Sequence, residues 1–257
     1  MHIRSVLKYL IPEQIKKKYR NERLRQAWDP IITECGALPV SEAFTQTYRR
    51  KLWGENEGDA FFSGGGSLER FATPYADWTI RFITEQSIRT VVDVGCGDFR
   101  VGRRICEGTG IHYIGVDVVP DLIAHNRSKF PIDGVEFKCA NAIEDRLPQG
   151  DLCLIRQVLQ HLTNAQIAKV LANCSEFPFL LITEDVYTGR RGQPNLDVLH
   201  GPGNRLFRQS GVYLDLPPYN LKLEHVLEVL CPETESVLRT SLIRQSPITK
   251  SRSAATD

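Results

Sequence analysis

The run VVDVGCGDF at residues 91–99 constrains the fold more than any other feature of the chain. Its first residues are apolar and β-branched, which is typical of a buried strand that ends at Asp93. Gly95 and Gly97 then predict a tight turn before a helix, because glycine lets the backbone turn sharply and approach a ligand closely. A ligand is expected just beyond the carboxyl ends of such strands, where the strand order of the sheet reverses.

The pattern after Thr90 is typical of an α/β protein. Helical segments separate apolar runs of strand length, and in one segment Thr163 and Gln166 stand at capping-box spacing. The predicted strands are TVVDV, YIGVDV, VEFKC, DLCLIR and FLLIT, followed by HVLEVL and SVLRTSLI as a closing antiparallel pair. Apolar strands that alternate with helices imply a mostly parallel sheet that is covered on both faces.

The composition fits one globular domain with a small appendage, since 42% of the 257 residues are apolar and 25% are charged. A net charge of +1 gives no global attraction to nucleic acid. The cysteines include no CxxC pair and the histidines lie far apart, so we predict reduced thiols and no metal site. With no apolar stretch near the roughly 20 residues of a membrane span and no secretory signal, we expect a cytoplasmic location.

Two segments before the predicted sheet leave alternatives open. The segment EQIKKKYRNERLRQAW predicts a basic helix, which either packs on the main domain through Ile15, Tyr19 and Trp28 or touches an anionic surface or polymer. The glycine-rich segment at residues 54–67 predicts a loop, and its part Ser63–Ser67 is expected to hold no regular element. This loop is either a linker or a lid beside a site.

The second predicted strand places Asp117 twenty-four residues after Asp93. A carboxylate there can accept hydrogen bonds from both ribose hydroxyls of an adenosine group. Arg100 stands where a dinucleotide-binding fingerprint has its third glycine, which disfavours a nicotinamide cofactor and hence an oxidoreductase. S-adenosylmethionine fits better, because it has no pyrophosphate and its ammonium group suits Asp93.

The motifs DVGCGDF, YIGVDVV, CANA and DLCLIRQVLQHL resemble those of the class I S-adenosylmethionine-dependent methyltransferases. The later run NLDVLHGPGNRLFRQSGVYLDLPPYNL and the SGGGS segment resemble a bacterial small-molecule or saccharide subgroup. The resemblance implies a Rossmann-like methyltransferase fold with a mostly parallel seven-stranded sheet, helices on both faces and a short N-terminal helical extension. It also implies in-line methyl transfer from S-adenosyl-L-methionine to a small-molecule or saccharide acceptor.

We expect the chain to divide into four parts: a basic helical extension (1–50), a glycine-rich loop with a lead-in helix (51–89), the S-adenosylmethionine-binding domain (90–246) and a frayed tail (247–257). The resemblance implies that nine residues contact the cofactor, at its methionine part, its ribose, its adenine or its sulfonium side. These residues are Asp93, Gly95, Gly97, Asp117, Val118, Asn141, Ala142, Arg156 and Gln157. Because Arg156 is a cation beside a cationic sulfonium, we expect its side chain to turn outward or to pair with an acid.

Two residues are candidates for contact with the acceptor. His161 is the leading candidate for a general base, because neutral imidazole is a natural base near pH 7; its alternative is a structural histidine at the start of a capped helix. Glu184 is weaker, and we expect a solvated acid at the end of the fifth strand. The loop at 188–215, with Asn204, Arg205 and Arg208, is either a lid over the acceptor pocket together with SGGGS or a disordered surface insertion.

Two further signals are given structural interpretations. LPPYN at 216–220 is similar to the base-holding motif of DNA amino-methyltransferases, but it follows the fifth strand, so we expect a rigid proline turn. Tyr75, Trp78 and Phe82 stand at helical spacing and predict core packing. A nucleic-acid methyltransferase and a catalytically silent scaffold stay as alternative functions.

Overall fold

The computed structural model describes residues 13–190 and 192–245. The first twelve residues of the predicted basic extension and the tail predicted at 247–257 lie outside the described residues. The side chains of Ile15 and Tyr19, which were expected to pack on the main domain, lie outside them as well.

The described residues form six α-helices and one seven-stranded sheet. The helices are α1 (Glu13–Gly36), α2 (Val40–Arg49), α3 (Glu69–Glu85), α4 (Arg100–Thr109), α5 (Pro120–Lys129) and α6 (Asn164–Asn173). The strands are β1 (Thr90–Val94), β2 (His112–Asp117), β3 (Val135–Cys139), β4 (Leu152–Arg156), β5 (Phe179–Tyr187), β6 (Glu224–Cys231) and β7 (Ser236–Arg244).

The strand order in the sheet is β3-β2-β1-β4-β5-β7-β6. The first five strands pair in parallel, and β7 pairs antiparallel with both β5 and β6. The predicted Rossmann-like α/β fold with a mostly parallel seven-stranded sheet is confirmed, as is the closing antiparallel pair. Because β2 and β4 flank β1 on opposite sides, the chain changes direction across the sheet between β1 and β4, and a crevice forms there.

Apolar side chains cover both faces of the sheet. Val91 and Leu154 belong to a buried cluster with Tyr75 and Phe82 of α3, as predicted for these two aromatic residues. On the opposite face, neighbouring strand residues pack with Phe44 of α2 and with α6. Side chains alternate between faces along a strand, so each run of apolar residues supplies both layers of the core.

The N-terminal helix docks on the end of the long loop. The Trp28 ring of α1 stacks on Phe207 with 6.0 Å between ring centroids, and Asp29 forms an ion pair with Arg208. The contact of Trp28 agrees with a helix that packs on the main domain. In the described part of the chain, no helix is long and apolar enough to cross a membrane.

One expectation about the loops is wrong, and one of the two alternatives for the long loop does not hold. Gly65–Ser67 forms one turn of 3-10 helix, and the Ser67 hydroxyl donates to the Gly64 carbonyl at 2.7 Å, so the glycines do hold a short regular element. The described part of the long loop is not a disordered insertion. Arg205 is 1% exposed and donates to Leu162 O and Asn164 Oδ1, at 2.7 and 2.9 Å.

Helix α6 begins with the predicted capping box. The Thr163 hydroxyl accepts from the Gln166 backbone N–H at 3.1 Å, and the Gln166 side chain accepts from the Thr163 N–H at 3.0 Å. Two backbone donors at the start of the helix are thereby satisfied.

We predict that Thr163→Ala lowers the free energy of unfolding by ~1 kcal/mol, because one helix-start N–H loses its acceptor. Urea denaturation measures the change. The control is Ser175→Ala, which removes an exposed hydroxyl just beyond the other end of α6 and is expected to change stability by less than ~0.5 kcal/mol. Equal effects of the two substitutions would show that the capping box contributes nothing.

Candidate functional site

A cavity of about 320 Å³ opens at the carboxyl ends of β1, β2 and β4, where the chain changes direction across the sheet. The nine residues predicted to contact a cofactor line this cavity, together with the predicted base. They are Asp93, Gly95, Gly97, Asp117, Val118, Asn141, Ala142, Arg156, Gln157 and His161. The structure therefore brings together side chains from four strand ends that are distant in sequence.

The turn after β1 gives the cavity its floor. Gly95 and Gly97 have φ angles of 75° and 55°, in the left-handed region that favours glycine. The Gly97 N–H donates to Asp117 at 3.1 Å, and its carbonyl accepts from the Asn126 side chain at 2.7 Å. A Cβ atom on Gly97 would lie 2.3 Å from Ser63 Oγ, so a larger residue would displace the neighbouring segment.

Asp117 presents a carboxylate with unused acceptor capacity. Its two oxygens accept backbone N–H groups of Gly97 and Val119, each at 3.1 Å. A carboxylate has about four acceptor positions, so two hydroxyl groups can still donate to it. Burial raises the pKa of Asp117 to about 6, and the backbone donors oppose this rise.

Asp93 and Arg156 lie on the same face of the sheet as Tyr75. The Tyr113 hydroxyl donates to Asp93 at 2.5 Å, and the Arg156 guanidinium lies over the Tyr75 ring, 5.1 Å from its centroid. Burial raises the pKa of Asp93 to about 6, while the Tyr113 hydrogen bond and the charge of Arg156 oppose the rise. The two opposite charges therefore stabilise each other without direct contact.

Arg156 turns toward the glycine-rich segment. Its Nη2 donates to the Gly66 carbonyl at 2.7 Å, and its Nη1 donates to Gln157 Oε1 at 3.3 Å. Of the two alternatives expected for this side chain, the outward turn is wrong, because carbonyl oxygens take its donors; the charge of Asp93 stabilises it without direct contact. A Cβ atom on Gly66 would lie 1.7 Å from Gln157 Oε1, so only glycine allows the segment to approach so closely.

Ser63 and Asp98 hold the glycine-rich segment against the turn. The Asp98 N–H donates to the Ser63 hydroxyl at 2.8 Å, and the Ser63 N–H donates to the Asp98 carboxylate at 3.0 Å. The Tyr48 hydroxyl of α2 lies 3.0 Å from Ser63 Oγ. None of these three cavity-lining residues was predicted as a site residue, and the only signal for them in the sequence is the serine beside three glycines.

The cavity wall that follows β2 and β3 is mainly apolar. Val118, Ala142, Ile143 and Val158 line it. Asn141 adds an amide whose Oδ1 accepts from the Ile143 N–H at 3.1 Å and keeps a second acceptor position. This wall can hold a flat heterocycle between aliphatic side chains and offer its edge a hydrogen bond.

The sequence comparison concerns the central part of the chain. A family model described as "Methyltransferase domain" matches residues 91–177, which include β1 through α6. The matched part is similar to methyltransferase domains and supplies most of the cavity lining. A search of the curated proteins found no match.

Two solved structures have a fold similar to that of this chain over about four fifths of its length. The N-methyltransferase NodS from Bradyrhizobium japonicum WM9, in complex with S-adenosyl-L-homocysteine, matches at 13% identity and a TM-score of 0.55, over 79% of this chain and 98% of that chain. Magnesium protoporphyrin IX methyltransferase from Synechocystis PCC 6803, with bound S-adenosylmethionine, matches at 11% identity and a TM-score of 0.54, over 82% of this chain and 99% of that chain. The predicted class I methyltransferase fold is confirmed.

His161 is a buried part of the cavity wall. Its Nδ1 donates to the Gly203 carbonyl at 2.9 Å, and its Nε2 lies 3.3 Å from the Gln160 side-chain nitrogen. The Trp53 ring lies 5.0 Å away between centroids. Because burial lowers the pKa of His161 to about 4, the neutral ring is a weak base, and these contacts favour the structural alternative. A catalytic role for His161 stays a prediction.

Glu184 is not the solvated acid that was expected. It lies within β5, is 2% exposed, and accepts the backbone N–H groups that follow β4. Its three donors are Val158 at 3.1 Å, Leu159 at 2.8 Å and Gln160 at 3.0 Å. Burial raises the pKa of Glu184 to about 8 against these donors. Glu184 thus supports the turn below the cavity, and its neighbour Asp185 lines the cavity instead.

The contacts of the LPPYN segment indicate a structural role. The Tyr219 hydroxyl donates to Asn164 at 2.8 Å, and the Asn195 side chain donates to the Pro217 carbonyl at 2.7 Å. Among the described residues that line the cavity, none belongs to 216–220.

Of the three polar residues noted in the long loop, Asn204 lines the cavity, while Arg205 and Arg208 make the contacts described above.

We predict that His161→Asn makes stability less sensitive to acid. The pKa of His161 is lowered from 6.5 to about 4, so between these pH values the unfolded state binds more protons than the folded state. The free energy of unfolding of the wild type therefore falls as pH is lowered through this window. Between pH 7 and pH 5 we expect it to fall by ~2 kcal/mol more than that of the variant.

Urea denaturation at the two pH values measures this difference. His112→Asn, which removes an exposed imidazole, is measured in parallel as the control for loss of a histidine. An unchanged pH dependence in His161→Asn would contradict the buried, neutral state of this ring.

Proposed function

We propose that the chain is an S-adenosylmethionine-dependent methyltransferase that transfers a methyl group to a small-molecule or saccharide acceptor. The observation that carries the proposal is Asp117, whose carboxylate lies at the end of β2 with two acceptor positions free, next to the glycine turn. Few cofactors combine a ribose with a positive charge, and the neighbouring Asp93 suits such a charge. The related structures, whose names include bound S-adenosyl-L-homocysteine or S-adenosylmethionine, support the same cofactor.

The cofactor fits along the strand ends in a definite order. The apolar wall after β3 and β2, with Val118 and Ala142, suits adenine, and the amide of Asn141 suits its edge. Asp117 accepts from the ribose, and the turn at Gly95 and Gly97 lies below the methionine part. Arg156 and Gln157 then follow at the end of β4, on the sulfonium side. When bound, the cofactor supplies the methyl group, and the residues of the chain orient it and exclude water.

The far side of the cavity suits a small polar acceptor. Trp53, Gln160 and Asn204 line it. The indole offers a flat apolar surface to the C–H groups of a sugar ring, and the amides can both donate and accept hydrogen bonds to hydroxyls. The names of the related structures, an N-methyltransferase and a porphyrin methyltransferase, also favour a small acceptor over a nucleic acid.

We predict that Asp117→Ala weakens binding of S-adenosyl-L-homocysteine by about a hundredfold, because two hydroxyl groups lose a charged acceptor. Isothermal titration calorimetry with S-adenosyl-L-homocysteine and S-adenosylmethionine measures the change. The control is Asp121→Ala, which removes an exposed carboxylate on the neighbouring α5 and leaves affinity unchanged.

Thermal unfolding of both variants distinguishes lost binding from lost folding, since Asp117 also holds the backbone of the turn. Absence of binding by the wild type at millimolar ligand would contradict the proposed function. The silent-scaffold alternative would then account better for the chain.

A further inference from the structure

The order of the strands points to the place of the methyl acceptor. Under the proposed function, the cofactor runs from β3 through β2 and β1 to its sulfonium at the end of β4. The next strand in the sheet is β5, so the acceptor approaches over the carboxyl end of β5. Adjacent strands are about 4.8 Å apart, which places side chains at this end within reach of a group attacking the methyl carbon.

The register of β5 selects which side chain faces the site. Arg156, the last residue of β4, pairs with Thr183, and Asp185 follows two residues later. Side chains two residues apart lie on the same face of a strand, so Asp185 lies on the face of Arg156 and Asp93. Glu184 points to the opposite face, where the backbone N–H groups after β4 hold it.

Asp185 has an unused acceptor in this position. It lines the cavity, and its Oδ1 has no hydrogen-bond partner among residues 13–190 and 192–245. Its backbone N–H donates to Gln160 Oε1 at 3.4 Å, and the other end of the Gln160 amide contacts His161. The backbone at Asp185 is therefore fixed by the wall of the cavity, while one buried carboxylate oxygen keeps its acceptor positions unfilled.

We propose that Asp185 is a catalytic residue that accepts the proton of the attacking group, so that the acceptor is an amine or a hydroxyl compound and not a carboxylate. This inference rests on the proposed function. A carboxylate at this place attracts an N–H or O–H donor and repels an anionic acceptor. It thereby restricts the acceptor classes that the fold alone leaves open.

The reaction balances with the groups present. The acceptor nitrogen or oxygen forms a bond to the methyl carbon, and the carbon–sulfur bond breaks with its electron pair left on sulfur. The proton of the acceptor N–H or O–H passes to the Asp185 carboxylate, which later releases it to water. No oxidant, metal or further reactant enters.

The surroundings of Asp185 shift its pKa toward neutral pH. Burial raises its pKa to about 6, and a hydrogen bond with Ser236 opposes the rise, so the carboxylate is ionised near neutral pH and is a better base than an exposed aspartate. The ionisable groups around it come from several elements. Cys231 of β6 feels the charge of Asp185, Glu184 is its neighbour on β5, and the ionisable groups that share the cavity with it are Asp93, Asp117, Arg156, Tyr75 and His161.

Sinefungin tests the inference without knowledge of the acceptor. In this cofactor analogue, a carbon that bears an amino group replaces the sulfonium and its methyl, so an ammonium lies where the acceptor attacks. Calorimetry compares sinefungin with S-adenosyl-L-homocysteine, which lacks this group. We expect Asp185→Asn to weaken sinefungin at least about tenfold, as for one charge-assisted hydrogen bond, and to change S-adenosyl-L-homocysteine affinity less than about twofold.

Asp133→Asn, which changes an exposed aspartate between α5 and β3, is the matched control and alters neither affinity. In the wild type, the ratio of the sinefungin affinity to the S-adenosyl-L-homocysteine affinity should fall as pH is lowered through about 6, the pKa of Asp185. The ratio cancels the titration of Asp93 and Asp117, because both ligands share the groups that these acids contact.

The outcomes separate this inference from the proposed function. If the wild type binds neither ligand, the proposed function fails and this inference fails with it. If the wild type binds both, and Asp185→Asn changes both affinities equally or neither, the inference alone is overturned. Retained S-adenosyl-L-homocysteine binding by Asp185→Asn shows that this variant is folded.

Discussion

The backbone of Gly97 is the point on which the candidate site depends. Its N–H donates to Asp117 of β2 and its carbonyl accepts from Asn126 of α5, so this one residue ties the turn after β1 to two other elements. The next residue, Asp98, exchanges two hydrogen bonds with Ser63. The floor of the cavity and the glycine-rich segment above it are therefore fixed by the same turn, and a ligand meets a preorganised surface.

The parts that the sequence predicted are those whose causes are local. A run such as TVVDV forms a strand because its apolar, β-branched side chains fill both layers of the core, and the glycines that follow allow left-handed φ angles. Thr163 and Gln166 cap α6 by contacts three residues apart. The same local logic, combined with the rule that ligands bind where strand order reverses, placed Asp93 and Asp117 in one cavity.

The parts that failed depend on contacts between distant segments. Arg156 was expected to turn its side chain outward or to pair it with an acid, yet its donors reach Gly66, ninety residues earlier. Glu184 was expected in solvent, because the sequence does not show that β5 runs past the end of β4. Nor does it show that the three backbone N–H groups after β4 lie on the face to which this side chain points. The burial of Arg205 depends on carbonyl oxygens of Leu162 and Leu196, which only the folded chain brings together. Hydrophobic periodicity carries no information about such polar contacts.

The charges at the strand ends explain how a cation in the wall is compatible with a cationic ligand. The positive charge of Arg156 is compensated by Asp93 on the neighbouring strand, and its guanidinium lies over the Tyr75 ring. Asp117 and Asp185 then leave the cavity with an excess of negative charge on the sides of the ribose and the acceptor. Under the proposed function, methyl transfer converts a sulfonium into a neutral thioether, so the attraction between the cavity and the cofactor weakens as the reaction proceeds. The same acidic groups that attract the sulfonium therefore bind the product, which has lost this charge, less strongly.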